Sequence, residues 1–417
     1  MSAETQATLG LFEAVGIEIE SMVVDAETLD VRPIVDELLR AAAGTTEWVG
    51  DVDEGAIELS NEFVAHVVEF KTNGPAPSWS GLEQAFRESA VRQNALLAAF
   101  GARLLPTAMH PWMDPRKDTQ FWPHDNGPIY RAYHSLFDAR RHGWSNLQSV
   151  HLNLPFCGEA QFARLMAAIR IVLPLVPALA ASSPVVEGAV TGILDNRLEH
   201  YRTNSERVAA MTGVVIPEPV FGFDAYQAEV LDPIDVELRA RGASDVLIGN
   251  EWTNARGAIA RFDRMAIEIR LIDAQECAAA DLAVAAAVAG IVRSLVEEAF
   301  LSHIDQLAFP TEPLARLLVR TIAEGPAASL DDVPEFARAF GLEPGRTRTV
   351  GELLQAIVPR TCSEAPELNG ALATILDHGV LSERILRALA GDVRREKLRE
   401  VYSELANCQQ EGRSFQP

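Results

Sequence analysis

Gly16-Ile17-Glu18-Ile19-Glu20-Ser21-Met22-Val23-Val24-Asp25 is the stretch whose reading decides the fold. In a β-strand successive side chains alternate between the two faces, so residues two apart point the same way. Glu18 and Glu20 therefore share one face, with Ile17 and Ile19 on the other. Two carboxylates side by side on a strand repel each other unless a cation compensates them. The bland alternative is a half-exposed strand bearing two solvated acids. Val15, Ile17, Ile19, Val23 and Val24 make the segment apolar enough to be buried, which favours compensated charge.

Working outward, Glu268-Ile269-Arg270 repeats the pattern far downstream, inside Ala266–Asp273. Glu58, Glu62 and Glu69 follow the first strand in a short apolar stretch. Glu69 lies in His66-Val67-Val68-Glu69-Phe70-Lys71-Thr72, one acid among apolar neighbours. A buried, unpaired carboxylate costs several kcal/mol, roughly, so it takes a cation or protonates. Lys71, two residues on, could supply that partner as a plain ion pair. Glu58 could equally belong to a polar edge with Asp51 and Asp53. His151 and Asn153 share a face in Val150–Pro155, with Gln148 as the next polar neighbour; a lone strand histidine can also be purely structural. Arg256, Arg261, Arg264 and Arg270 crowd into fifteen residues of an acidic chain. Guanidinium forks suit phosphate and carboxylate oxygens, though Asp263 and Asp273 offer surface pairing instead. Together these residues suggest a carboxylate cage for hard divalent cations, Mg²⁺ or Mn²⁺, and hence phosphate chemistry.

Composition bounds the partners. The chain has 417 residues, 48% apolar and 23% charged, with a formal net charge of −23. So acidic a surface argues against nucleic acid as a partner but allows a positive pocket for an anionic nucleotide. Cys157, Cys277, Cys362 and Cys408 are scattered, without a CxxC pair, which points to a reducing, cytoplasmic setting. The Met1–Gln6 start lacks a basic segment followed by an apolar run, so no signal peptide is expected. The apolar stretches 165–181 and 278–300 are interrupted by Pro174 and Pro177, or by Asp281 and Arg293, and predict no membrane span.

The coarse pattern is α+β. Residues 11–25 predict a long strand, 32–43 a short helix, 45–73 two or three strands, and 80–101 a helix after the Gly74–Pro77 turn. A strand at 102–108 precedes an irregular segment, 109–128, of the kind often kept for function. A helix near 128–140, a strand at 147–155, a helix over 158–181 broken near its prolines, a strand over 259–273 and a helix over 278–301 follow. From 312 onward the pattern is helical. Irregular alternation excludes a doubly wound sheet. An antiparallel sheet with helices on one side is predicted, as a catalytic domain over 1–305 and a helical region over 306–417 packed on it. No GxxxxGK[ST], GxGxxG, GxSxG or HExxH motif occurs, so neither a nucleotide loop of those types nor a nucleophilic hydrolase is supported.

In order along the chain stand Gly16-Ile-Glu18-Ile-Glu20, Val67-Val-Glu69-Phe-Lys71-Thr72, Met109-His110-Pro111, His151-Leu-Asn153, Ser182-Ser183-Pro184, Asn196-Arg197 and Glu268-Ile-Arg270-Leu-Ile-Asp273. This series resembles the family-2 glutamate–cysteine ligases and the related carboxylate–amine ligases, over about residues 10–300. The resemblance implies a glutamine-synthetase-like fold whose antiparallel sheet forms an active-site bowl, with helices packed outside. It implies ATP and two or three Mg²⁺ (or Mn²⁺) ions. By matching position, Glu18, Glu20, Glu62, Glu69, His151 and Glu268 would be metal ligands or near neighbours. Arg197 and Arg270 would be catalytic, on the substrate carboxylate or the moving phosphate. Lys71, Gln148, Asn153, Arg256 and Arg261 are the candidate contacts to substrate or nucleotide, with Arg256 and Arg261 offset from the family pattern.

The implied reaction joins an amino-acid carboxylate, the γ-carboxylate of glutamate, to an amine such as cysteine through an acyl phosphate. Two departures leave the amine open: Ile19 stands where many relatives have a third acid, and Asn153 where many have a second histidine. A carboxylate–amine ligase with another amine is therefore the near alternative. A phosphotransferase acting on a guanidino group, or a catalytically silent metal-binding relative serving as an interaction partner, are the distant ones. Small-molecule amino-acid and amine substrates, no nucleic acid and no membrane are the expected partners, with a homo-oligomer left open.

Overall fold

The computed structural model describes residues 9–343, 345–361 and 365–417; the Met1–Gln6 start and Cys362 lie outside them. In chain order the elements that build the site are β1 (Gly16–Asp25), α1 (Val35–Ala43), β2 (Asp51–Asp53), β3 (Ile57–Asn61), β4 (Val67–Thr72), α2 (Leu82–Leu97) and β5 (Ala102–Leu105). After them come α3 (Gly127–Phe137), β6 (Ser149–Pro155), α4 (Gly158–Val172), the small hairpin β7 (Val185–Val186) and β8 (Ala189–Val190), α5 (Asn196–Tyr201), β9 (Ala258–Arg261), β10 (Ala266–Asp273) and α6 (Ala278–Val296). The C-terminal region is helical and includes α7 (Val350–Thr361), α8 (Leu381–Leu389) and α9 (Arg395–Glu411).

The main sheet has eight strands in the order β2-β3-β4-β1-β6-β10-β9, with β5 also paired to β1. Every pairing in it is antiparallel. β1 sits at its centre. One edge of β1 carries β4; the other carries β6 along Gly16–Ile19 and β5 along Met22–Asp25. One face of the sheet is dry: Ile17, Ile19, Val68, Phe70, Val150, Leu152, Ile267 and Ile269 are buried in one apolar cluster with α2, α4 and α6. That leaves the acidic positions on the other face, the usual division of an antiparallel sheet.

The expected α+β architecture is present, with several boundaries moved. The 259–273 segment is not one strand but two, β9 and β10, joined by a turn over Phe262–Met265 in which Met265 takes φ 50°. The 45–73 segment yields three strands, and the 109–128 segment holds a short helix over Pro115–Asp118. α4 stops at Val172, and Pro174 and Pro177 open a 3₁₀ turn and a four-residue helix. A proline removes the i−4 hydrogen bond of a helix interior, so it serves best in a first turn. α6 is long and apolar enough by composition to cross a membrane, yet it is mostly buried here, against α2, α4, β6 and the helices around α7. The apolar core runs without a break from the sheet into Leu314–Val380, across the expected 305/306 boundary.

Candidate metal and active site

The register of the sheet determines which acids meet. Glu20 on β1 faces Glu69 on β4, and Glu18 faces His151 on β6. Glu268 on β10 faces Asn153 on β6. Glu62, in the link between β3 and β4, joins from the side. Two groups result: Glu18, His151 and Glu268 form one, and Glu20, Glu62 and Glu69 the other, each with ligating atoms within 4.8 Å of one another. Ser149 ties the groups together. Its backbone N–H and hydroxyl lie 2.6 and 3.0 Å from Glu20 Oε2, and the hydroxyl is also 3.0 Å from His151 Nε2. His151 Nδ1 donates to Glu18 Oε2 at 2.9 Å, and Asn153 Nδ2 donates to Glu18 Oε1 at 3.1 Å.

The two groups differ in charge balance. Burial alone would raise the Glu18 carboxyl, but the His151 hydrogen bond and the charges of His151, Arg264 and Arg270 bring it down to about 2. Glu268 lies 2.9 Å from Arg270 Nε and 3.0 Å from Arg261 Nη1. The second group has weaker relief, from the charge of Arg270 on Glu62 and of Lys71 on Glu69. Burial, with the charge of Glu20 adding to it, lifts Glu62 to about 8. Burial and the charges of Glu18 and Glu62 lift Glu69 well above the usual carboxylate range, although Ser60 Oγ donates to it at 2.6 Å. Among the described residues no lysine or arginine pairs with Glu20, Glu62 or Glu69. Three crowded acids with no ion-pair partner among the described residues, all offering oxygen, fit a hard divalent cation. Two carboxylates and an imidazole in the first group suit the same class of ion.

Arg270 is aimed by a bulge. The β10–β6 register shifts between Ile269 and Ile272, so one extra residue is accommodated beside His151, which re-aims the arginine. Arg197, at the start of α5, anchors that bulge. Its Nε lies 2.5 Å from Asp273 Oδ1, and its Nη1 and Nη2 donate to the Arg270 carbonyl at 3.3 Å. Asp273 in turn accepts from the Ser182 N–H at 2.9 Å and the Ser183 hydroxyl at 3.1 Å, so the Ser182-Ser183 motif is scaffolding for this pair. A cavity of about 420 Å³ opens beside Glu20, Glu62 and His151. Glu20, Glu62, Ser149, His151, Arg197 and Arg270 line it, together with Tyr130, Tyr133, Trp144 and Trp252.

Three expected contacts fall elsewhere. Arg256 is buried with its guanidinium held by Glu218 at 2.5 and 2.8 Å and by the Ala210 carbonyl at 3.0 Å, which leaves it no free fork for a ligand. Gln148 has the opposite strand parity to Ser149 and His151 and does not line the cavity. Lys71 pairs with Glu58 at 2.9 Å and Asp51 at 3.3 Å at the sheet edge, not with Glu69, so Glu58 belongs to that edge and to neither acid group. Arg261 and Asn153 lie beside the first group, bonded to Glu268 and Glu18. Ser149, Ser60 and the four aromatic residues went unpredicted. The parity of Ser149 with His151 marks its face; nothing local marks the aromatics, which come from distant loops and α3.

A family model described as glutamate–cysteine ligase family 2 matches residues 14–404. An uncharacterized protein of Archaeoglobus fulgidus is 32% identical over 394 residues, 94% of this chain and 98% of its own length. A putative glutamate–cysteine ligase 2-3 of Rubrobacter xylanophilus is 29% identical over 187 residues, 44% of this chain and 47% of that protein. The crystal structure of a glutamate–cysteine ligase from Francisella tularensis in complex with AMP superposes with a TM-score of 0.64 at 13% identity, covering 95% of this chain and 88% of that one. A bifunctional glutathione synthetase from Pasteurella multocida gives 0.52 at 14% identity, over 95% of this chain and 52% of that one. At those identities the two likenesses establish the fold.

Proposed function

Because the chain belongs to glutamate–cysteine ligase family 2, we propose that it is an ATP-dependent ligase that forms an amide bond between an amino-acid carboxylate, the γ-carboxylate of glutamate, and an amine such as cysteine. A free carboxylate does not condense with an amine at neutral pH without activation. In this reading the γ-phosphoryl group of ATP moves to a carboxylate oxygen, giving an acyl phosphate and ADP. The amine nitrogen then attacks the acyl carbon, the carbon–oxygen bond to phosphate breaks, and the nitrogen gives up a proton.

The chain's own part is to bind and to balance charge. Glu20, Glu62 and Glu69 would hold one Mg²⁺ or Mn²⁺, and Glu18, His151 and Glu268 a second. Such ions, when bound, neutralise the negative charge that builds on transferring phosphate oxygens. Arg270 reaches the same cavity and steadies the phosphoryl oxygens or the substrate carboxylate, while Arg197 holds the bulge that aims it. Asn153 and Ser149 orient Glu18 and Glu20. The observation that carries the reading is the crowded Glu20, Glu62 and Glu69 group, of which Glu20 and Glu62 line a cavity beside Arg270.

The test is ADP release with Mg²⁺ or Mn²⁺, glutamate and cysteine, each omitted in turn. A ligase needs both amino acids for turnover. Release with one acceptor alone indicates a phosphotransferase; no release with cysteine but release with another amine indicates the second reading below, and no release with any amine indicates a silent relative. A second reading keeps the reaction and changes the amine, because the relative matched over its full length carries no named activity.

A further inference from the structure

The catalytic cavity holds more rings than divalent ions and phosphates require. Two of the chain's six tryptophans, Trp144 and Trp252, and three of its five tyrosines, Tyr130, Tyr133 and Tyr201, line it, and Phe63 joins them. Most of these come from separate segments. Phe63 lies in the link between β3 and β4, Tyr130 and Tyr133 on α3, Trp144 in a helical turn over His142–Ser145 and Trp252 in a 3₁₀ turn over Glu251–Thr253. They meet around Tyr133, whose ring centroid lies 5.1 Å from that of Trp144, 5.9 Å from Trp252 and 6.4 Å from Phe63. Phe63 also meets Tyr130 edge-on at 5.1 Å.

The surroundings fix these rings. Tyr133, Phe137, Met211, Ile234, Leu238 and Leu247 are buried in one apolar cluster, and Phe63, Trp144 and Trp252 pack against it. Trp144 spends its indole N–H on the Asn204 carbonyl at 3.2 Å, and the Tyr130 hydroxyl accepts from Asn61 Nδ2 at 3.1 Å. With those polar tips engaged by the protein, what the two residues offer a ligand is ring surface. The position decides which ligand meets it. Phe63 follows Glu62 in the chain, and the Asn61 amide that bonds Tyr130 also donates to the Glu62 carbonyl at 3.2 Å. The rings therefore begin beside an acid of the proposed metal group. A triphosphate and a ribose separate an adenine from the reacting phosphorus, whereas the attacking nitrogen has to come up to the acyl carbon next to it.

We propose that the amine substrate carries an aromatic or comparably large apolar group, which lies against Tyr133, Trp144 and Trp252 while its nitrogen meets the activated carboxylate. The assignment rests on the ligase reading above and names the class of amine which that reading leaves open. Cysteine ends in a single sulfur and would cover little of such a wall. A cavity of about 420 Å³ is of the size that encloses a drug-sized molecule, and Leu147 and Met211 extend its apolar lining. A ring buried there gains both from the area removed from water and from edge-on or offset contact with the rings already in place.

The experiment measures amine-dependent ADP release with ATP, Mg²⁺ and glutamate held constant, across two series: alanine, cysteine and phenylalanine, then ethylamine and 2-phenylethylamine. The aromatic member of at least one series should exceed its small counterparts by about tenfold or more in kcat/KM. Trp252→Ala should lower that ratio several-fold through a higher KM for the aromatic amine, and Trp252→Phe, which keeps a ring, should retain most of it. A ratio near one in the wild-type chain overturns the proposal. So does a ratio that Trp252→Ala leaves intact while activity falls with every amine alike, which would make Trp252 purely structural. A Trp252→Ala rise in the KM for ATP with the ratio intact also overturns it, and would make the rings an adenine platform. Release with cysteine alone overturns this proposal and leaves the ligase standing; absence of release with every amine overturns the ligase reading itself.

Discussion

Glu69 is buried, opposite Glu20, and its carboxylate accepts from the Ser60 hydroxyl, its sole side-chain hydrogen-bond partner among the described residues. Glu69→Gln keeps the shape, removes the charge and can still bond Ser60. We expect it to cut amine-dependent turnover by more than roughly 100-fold, beyond the effect of losing an outer-shell partner, with an unchanged far-ultraviolet circular dichroism spectrum. Divalent ions should stabilise the wild-type chain by about 2.7 kcal/mol at a hundredfold excess over Kd, and Glu69→Gln should lose that gain. A variant with wild-type turnover and a wild-type Mn²⁺-induced rise in melting temperature would remove Glu69 from the site. At this scale the sequence was most legible where strand parity speaks: Glu18, Glu20, Glu69, His151 and Glu268 share a face because alternation requires it. Arg197 and Arg256 were harder to read. Their partners, Asp273 and Glu218, lie 76 and 38 residues away, and no local pattern separates an arginine that meets a ligand from one that braces the backbone.

The β10 bulge and the links between strands belong to the scale of elements. Arg197 and Asp273 are 2% and 0% exposed at their side chains, so Arg197→Met leaves a buried aspartate without its counter-charge. That should cost about 3–5 kcal/mol, read by urea denaturation. Arg197→Lys keeps charge but loses the fork, and should lower kcat more than it lowers stability; equal kcat would mean that the bulge does not need its anchor. Two histidines pin the ends of connecting segments. His66 Nε2 donates to the Ser145 carbonyl at 2.8 Å, and His110 Nε2 to the Leu29 carbonyl at 2.7 Å. Burial, partly offset by those bonds, holds both at about 4. The unfolded chain takes up these protons near 6.5 and the folded chain does not until about 4. Stability therefore falls as pH drops between those values, by about 3 kcal/mol per histidine. His66→Gln and His110→Gln should each flatten the fall of the urea midpoint over that range; an unaltered slope would assign it to other groups. Element types were read well from periodicity. The β9–β10 turn was missed because Phe262–Met265 contains neither glycine nor proline, so the segment read as one strand.

At the scale of the molecule, the C-terminal helices are part of the core. Arg384 on α8 forms a fully buried pair with Glu276 and also donates to the Phe415 carbonyl at 2.7 Å. Met22, Val24 and Leu105 of the sheet share an apolar cluster with Leu381, Ile385, Leu398, Tyr402 and Phe415. A fragment over 1–305 should therefore fail to fold cooperatively, while the full chain should unfold in one transition seen alike by tryptophan fluorescence and circular dichroism. A soluble 1–305 fragment with a sharp melt would restore an independent catalytic domain. The helical character of this region was legible from 312 onward. Its role was not, because its contacts with the sheet span hundreds of residues.

One of those contacts reaches the centre of the sheet. Gln409 on α9 donates to Ser21 Oγ at 3.0 Å, and Ser21 is the neighbour of Glu20 on β1. The strand that carries two of the acids is thus gripped from behind by the last helix. Trimming or loosening that helix should be felt as weaker Mn²⁺ binding, though every residue of the site stays in place.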